Sequence, residues 1–87
     1  MAWRIELTPQ AARQLAKIGS LHSRRITSLL RSIASDPRSK GGPLKGRLRE
    51  FWRYRVGDYR VLVKLEDDRL VVLVVEVIHR SKAYRKR

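Results

Sequence analysis

The chain has 87 residues, no cysteine, and 21 lysines and arginines against 8 acids, for a formal net charge of +13. That length allows one small domain, residues 1–87, and the composition excludes disulfides and thiolate metal sites. Fifteen arginines against six lysines favour planar, paired contacts with phosphate or carboxylate, so the expected partner is a polyanion.

The opening "MAWRIEL" places Arg4 and Glu6 among its first apolar residues, unlike a signal peptide. Trp3, Ile5 and Leu7 alternate with them and predict a first strand. Thr8-Pro9 then supplies the N-cap and first-position pattern of a helix. Ala11, Leu15 and Ile18 recur at helical spacing along it, and Gly19 is placed to stop it. Ser20 is expected to cap a second helix, in which Ile26, Leu29, Leu30 and Ile33 form an apolar stripe opposite Arg24, Ser28, Arg31 and Ser35. Asp36-Pro37 closes that helix. Residues 38–46, "RSKGGPLKG", read as an irregular basic loop.

"FWRYRVGDYRVLV" (51–63) reads as a hairpin. Trp52, Tyr54 and Val56 share one face of its first strand, and Phe51, Arg53 and Arg55 the other. A two-residue Gly57-Asp58 loop of type II′ sets Val56 opposite Tyr59, Arg55 opposite Arg60, and Arg53 opposite Leu62. Like charges directly opposite one another cost about 0.2–1 kcal/mol per pair, so a purely structural hairpin would gain by losing one of them.

Three of the acids, Glu66, Asp67 and Asp68, gather in the next turn. A two-residue turn there aligns Arg60 with Val75, Val77 and His79. A bulge or a three-residue turn instead selects Glu76, Ile78 and Arg80. The last strand, about 70–78, is apolar on both faces and is expected to be central and covered on both sides. Its run "LVVLVVEVI" is far short of the ~20 residues of a membrane helix. The tail "HRSKAYRKR" is basic. The fold class is therefore α+β, in the order β-α-α-β-β-β, with two N-terminal helices packed on a mostly antiparallel four-stranded sheet.

This order, with "LKG" before the hairpin, "WRYRVGDYRVLV", an acidic turn and "VIHRSKAYR", resembles the RelE/ParE toxins of bacterial and archaeal toxin–antitoxin pairs. RelE-type members cut messenger RNA in the ribosomal A site; ParE-type members inhibit DNA gyrase. The RNase branch, matched residue by residue, implies a site of Arg53 and Arg55, then Arg60, Arg80 and Tyr84. The best-known branch carries lysines where this chain has Arg53 and Arg55, which leaves the general base open.

RNA is cut when its 2′-OH is deprotonated and aligned on the adjacent phosphorus. That needs a base, positive charge for the phosphoryl oxygens, and an acid for the leaving 5′-oxygen. An arginine pKa above ~12 suits the second task and not the first. Arg53, Arg55, Arg60 and Arg80 are expected as clamps, with Lys82 and Arg85 as further phosphate contacts. His79 and Tyr84 are expected as proton carriers. His22 reads as a surface residue, and Trp3, Trp52 and Tyr54 as core. Two histidines and scattered carboxylates offer no metal site, so a metal-free, cofactor-free reaction is implied.

The reading that follows is a cytoplasmic, ribosome-dependent mRNA endoribonuclease. An acidic, partly disordered antitoxin holds it in a hetero-oligomer, and its working partners are the ribosome and mRNA, with no membrane. Two alternatives remain: a gyrase inhibitor without catalysis, and a non-catalytic RNA-binding module.

Overall fold

The computed structural model describes residues 2–83. The elements run β1 (Arg4–Leu7), α1 (Pro9–Lys17), α2 (Ser20–Ser32), β2 (Gly42–Pro43), β3 (Phe51–Val56), β4 (Tyr59–Glu66), β5 (Val71–His79) and α3 (Arg80–Ala83), with short 3₁₀ turns at Pro37–Ser39 and Gly46–Leu48. They build one sheet in the order β1-β5-β4-β3-β2, antiparallel except for the parallel pair β1–β5.

The Thr8 hydroxyl accepts from the Ala11 N–H at 3.1 Å and opens α1, with Pro9 following it. The same hydroxyl donates to the Val75 carbonyl, which ties the helix start to the central strand. Gly19, at φ 89°, is the N-cap of α2, so Ser20 is its first helical residue rather than its cap. Ala11 from α1 and Ile26, Leu30 and Ile33 from α2 bury themselves against Tyr54, Val61, Val63, Val72, Val74 and Val77. Each fully buried aliphatic side chain of this kind contributes about 1.5–3 kcal/mol over exposure. Trp3 and Trp52 pack against this core, as expected.

Strand β5 is central, between β1 and β4, but its expected cover on both faces is only partial. Val72, Val74 and Val77 meet the helices; on the opposite face Val71 is fully buried, while Leu73, Glu76 and Ile78 stay partly exposed.

A fifth strand replaces part of the expected loop. Gly42 pairs with Arg53 and Pro43 with Trp52. Leu44 N–H donates to the Phe51 carbonyl, so the hydrogen-bonded positions on this edge of β3 are 51 and 53. Pro43 therefore falls where no N–H is needed. Gly41, at φ 73°, brings the strand in, and a Cβ there would meet the Arg53 carbonyl.

Side-chain bonds fasten the preceding segment. The Tyr54 hydroxyl donates to the Pro37 carbonyl at 2.6 Å, Trp52 Nε1 donates to the Lys40 carbonyl at 2.7 Å, and Arg38 grips both oxygens of Asp67 at 2.9 and 3.0 Å. The Arg38 bond holds the exposed Asp67 carboxyl below its ordinary value, and burial pushes the Tyr54 phenol up to about 12.

Two substitutions test this strap. Gly41→Ala should destabilise by at least about 2 kcal/mol, from the left-handed backbone and the overpacking together. Tyr54→Phe should cost about 1–3 kcal/mol by leaving the Pro37 carbonyl unpaired. The stability that the neutral Tyr54 phenol provides is complete below its ordinary value of 10.0 and is lost as pH rises towards about 12. Urea melts across that range should show the wild type weakening more than Tyr54→Phe.

Candidate functional site

The hairpin register is the expected one: Val56 faces Tyr59, Arg55 faces Arg60, and Arg53 faces Leu62. Gly57 has φ 58° and Asp58 has no positive φ, the pattern of a type II′ turn. Between β4 and β5 the register shifts at Leu62/Val63. Val63 pairs with Val74 but Leu62 with Glu76, so Val75 is the extra residue of a bulge. The bulge and the four-residue turn 67–70 together decide between the two alignments left open by the sequence: Arg60 lies opposite Ile78.

The sheet therefore carries its arginines on the face away from α1 and α2. One row across the strands is Arg53, Leu62, Glu76; the next is Arg55, Arg60, Ile78. Arg55 is exposed, Arg53 half-buried, and Arg60 only 9 % exposed. Arg60 Nη1 donates to the Gly57 carbonyl at 3.2 Å and to the Tyr59 carbonyl at 3.0 Å, while its buried Nε has no partner. Among the described residues no carboxylate pairs with Arg53, Arg55 or Arg60. Asp58 pairs with Arg80, Asp67 with Arg38, and Glu6 and Glu66 with Arg69. A concentration of guanidinium charge left without counter-ions is a site prepared for an anion.

Arg80 begins α3 at the hairpin tip. Its backbone N–H donates to the Asp58 carbonyl at 2.7 Å, and its Nε lies 3.6 Å from the Asp58 carboxylate. The turn that positions Arg60 thus also anchors Arg80. Lys82 lies on the same short helix, exposed. Tyr84 and Arg85 lie outside the described residues.

His79 does not join the arginines. It shares the parity of Val77, on the helix side, where its ring meets Tyr59 edge-on at 5.3 Å. Tyr59 in turn touches His22 at 5.0 Å, so His22 is part of an aromatic cluster as well as being near the surface. His79 and Lys82 line a cavity of about 220 Å³ with Gln14, Lys17 and Tyr59. The Ser81 N–H and hydroxyl both approach His79 Nδ1, at 3.2 and 2.9 Å. The N–H bond makes Nδ1 an acceptor and puts the ring proton on Nε2. His79, one of the two expected proton carriers, is in this geometry a cap for α3.

Glu76 is the residue that sequence reasoning used only as a marker of register. It stands on the arginine face, diagonal to Arg60, and makes no ion pair among the described residues. Only the bulge brings it there, and a valine-rich run does not announce a bulge.

Residues 5–84 match the family described as the ParE toxin of type II toxin–antitoxin systems, parDE. Toxin RelG of Mycobacterium tuberculosis is 26% identical over 87 residues, a span that covers 99% of this chain and 100% of the relative. Among solved structures, the fold is similar to that in the toxin–antitoxin complex RelBE2 from Mycobacterium tuberculosis, with TM-score 0.85, 25% identity and coverage of 92% of this chain and 100% of that one. It is also similar to a mutant of E. coli toxin RelE in the free state, with TM-score 0.81, 22% identity and coverage of 97% and 88%. A third is the archaeal RelE–RelB complex from Pyrococcus horikoshii OT3, with TM-score 0.77, 24% identity and coverage of 94% and 99%.

The buried Arg60 yields a stability test. Replacing a buried charge by an apolar side chain of similar volume is often neutral or stabilising, by about 1–4 kcal/mol where it helps. Arg60→Met should therefore melt at or above the wild-type temperature. Arg60→Ala, which leaves a hole as well, should melt below Arg60→Met.

Proposed function

Since this chain belongs to the ParE toxin family of type II toxin–antitoxin systems, we propose that it acts by the RelE-type reaction, cutting messenger RNA on the ribosome. The observation that carries this reading is Arg60: a guanidinium nine-tenths buried, without a carboxylate, with one N–H unpaired and another arginine directly opposite. Such a group is stabilised when an anion arrives and destabilising until then.

The 2′-oxygen of one nucleotide attacks the adjacent phosphorus, the bond to the 5′-oxygen of the next nucleotide breaks, and a cyclic phosphate and a free 5′-OH result. Arg53, Arg55, Arg60 and Arg80 hold the phosphoryl oxygens as negative charge concentrates on them. Our choice for the base is Glu76, which shares their face, with Tyr84 giving the proton to the leaving oxygen. His79 is a positioning residue: it caps α3 and so holds Arg80. Lys82 and Arg85 meet flanking phosphates. The cognate antitoxin is an acidic, partly disordered chain that forms a hetero-oligomer with this one. The relatives solved as RelE–RelB complexes and the charge of +13 support that pairing. No helix of the described residues is long and apolar enough to cross a membrane.

The description of the matched family favours a second reading, inhibition of DNA gyrase without catalysis. Primer extension on a message translated with the purified protein, beside a supercoiling assay, separates the two. Ribosome-dependent cuts at fixed codon positions are expected; intact message with blocked supercoiling would establish the gyrase reading instead. In single-turnover cleavage, Arg60→Met should lose about 10²–10³-fold in rate, as for a removed oxyanion donor. Glu76→Gln should abolish the acidic limb of the pH–rate profile, whereas His79→Ala should lower the rate and keep that limb.

Binding to single-stranded RNA should weaken steeply with salt. The log–log slope should shrink by about 0.7 for Arg55→Ala if that arginine neutralises one phosphate. An unchanged slope would remove Arg55 from the contacts.

A further inference from the structure

At the outer edge of the hairpin is a cavity of about 420 Å³, lined by Leu29, Lys40, Gly41, Gly42, Arg53, Tyr54 and Arg55. We propose that it binds one nucleotide of the RNA, a neighbour of the one that is cut. This rests on the RNA-binding part of the reading above and not on catalysis.

Four features of the cavity point to that occupant. First, its volume lies within the ~300–1,000 Å³ of small-molecule sites, on the scale of a single nucleotide rather than of a folded segment. Second, its lining is divided in character. Leu29 and the Tyr54 ring form an apolar wall, while Lys40, Arg53 and Arg55 supply cations that no carboxylate among the described residues neutralises. Tyr54 spends its hydroxyl on Pro37 and is only 1 % exposed, so it backs the cavity without offering it a free polar group. A ligand that is flat at one end and anionic at the other matches that division.

Third, the edge of β3 is open at one residue. The Phe51 carbonyl accepts from Leu44 on this side, so by alternation the N–H and C=O of Arg53 and Arg55 point the same way. Gly42 stands opposite Arg53, but no strand residue stands opposite Arg55 on this edge. A donor and an acceptor side by side suit the edge of a nucleobase. They do not suit an added peptide strand, which needs a ladder several residues long, and β3 ends one residue later at Val56.

Fourth, the floor is bare backbone. A Cβ at Gly41 would strike the Arg53 carbonyl and the Trp52 and Tyr54 rings, and a Cβ at Gly42 would stand in open space. The chain comes as close to β3 as backbone can and leaves the volume in front of Gly42 empty.

The test is a titration of ¹⁵N-labelled protein with adenosine 5′-monophosphate, with adenosine and inorganic phosphate as separate fragments and an acidic peptide in a parallel series. The nucleotide should shift the amides of Gly41, Gly42 and Arg55 saturably, and bind at least tenfold more tightly than either fragment. Gly42→Val should weaken it at least tenfold with an unchanged melting temperature. Should that variant not fold, Lys40→Glu serves the same purpose. Equal affinity for phosphate alone would reduce the cavity to an anion site and overturn the proposal. Shifts confined to other residues, or peptide binding where the nucleotide does not bind, would also overturn it. Cleavage is not part of this readout: nucleotide binding without ribosomal cutting leaves the pocket standing and sinks the reaction, and the converse result sinks the pocket alone.

Discussion

The geometry of this protein hangs on the two-residue period of its central ladder, broken once, at Val75. Below that point β4 and β5 pair in one register, and above it in another. Without the extra residue, Val77 and His79 would turn out onto the face of Arg60, and Glu76 and Ile78 would turn in towards the helices with Val61. With it, Glu76 and Ile78 turn outward beside the arginines, and His79 turns inward to Tyr59. The bulge also takes part in the helix start, because the carbonyl of Val75 receives the hydroxyl that caps α1.

What the arginine face lacks is as informative as what it holds. Half of the eight acids are committed to tying turns together: Asp67 to the 3₁₀ segment, Glu66 and Glu6 to Arg69, Asp58 to the start of α3. Exposed pairs of this kind stabilise little individually. Their effect here is one of placement, since they draw negative charge to the turns and leave Arg55 and Arg60 opposite one another without a carboxylate partner.

How far the sequence could be read follows from how far its local signals were redundant. The hairpin was legible because Gly57-Asp58 fixes the turn and alternation fixes the faces, each independently. The Thr8-Pro9 helix start and the α2 stripe were legible for the same reason. The bulge was not, because a run of valines and leucines looks alike in either register. With it went the face of His79 and the place of Glu76. Strand β2 was hidden by a different effect. Glycine and proline ordinarily mark where strands stop, yet here Gly41 permits the close approach and Pro43 fills a slot that asks for no donor. The capping of α3 by His79 depends on a bond two residues along the chain, and nothing in residue spacing distinguishes it from a catalytic histidine.

The parallel seam between β1 and β5 has a consequence for how the chain assembles. Arg4 meets Val71 and Leu7 meets Val74, so this one contact spans most of the polypeptide, while the β3–β4 hairpin and both long helices close over short distances. Loop-closure entropy must be overcome before such a seam returns any energy, and topologies rich in distant contacts reach their native state slowly for that reason. Because β5 lies between its partners, the hydrophobic layer under α1 cannot be completed until the farthest-separated strands have found each other. The first strand is thus a latch: short, at the rim of the sheet, and fastened across a longer stretch of chain than any other strand pair.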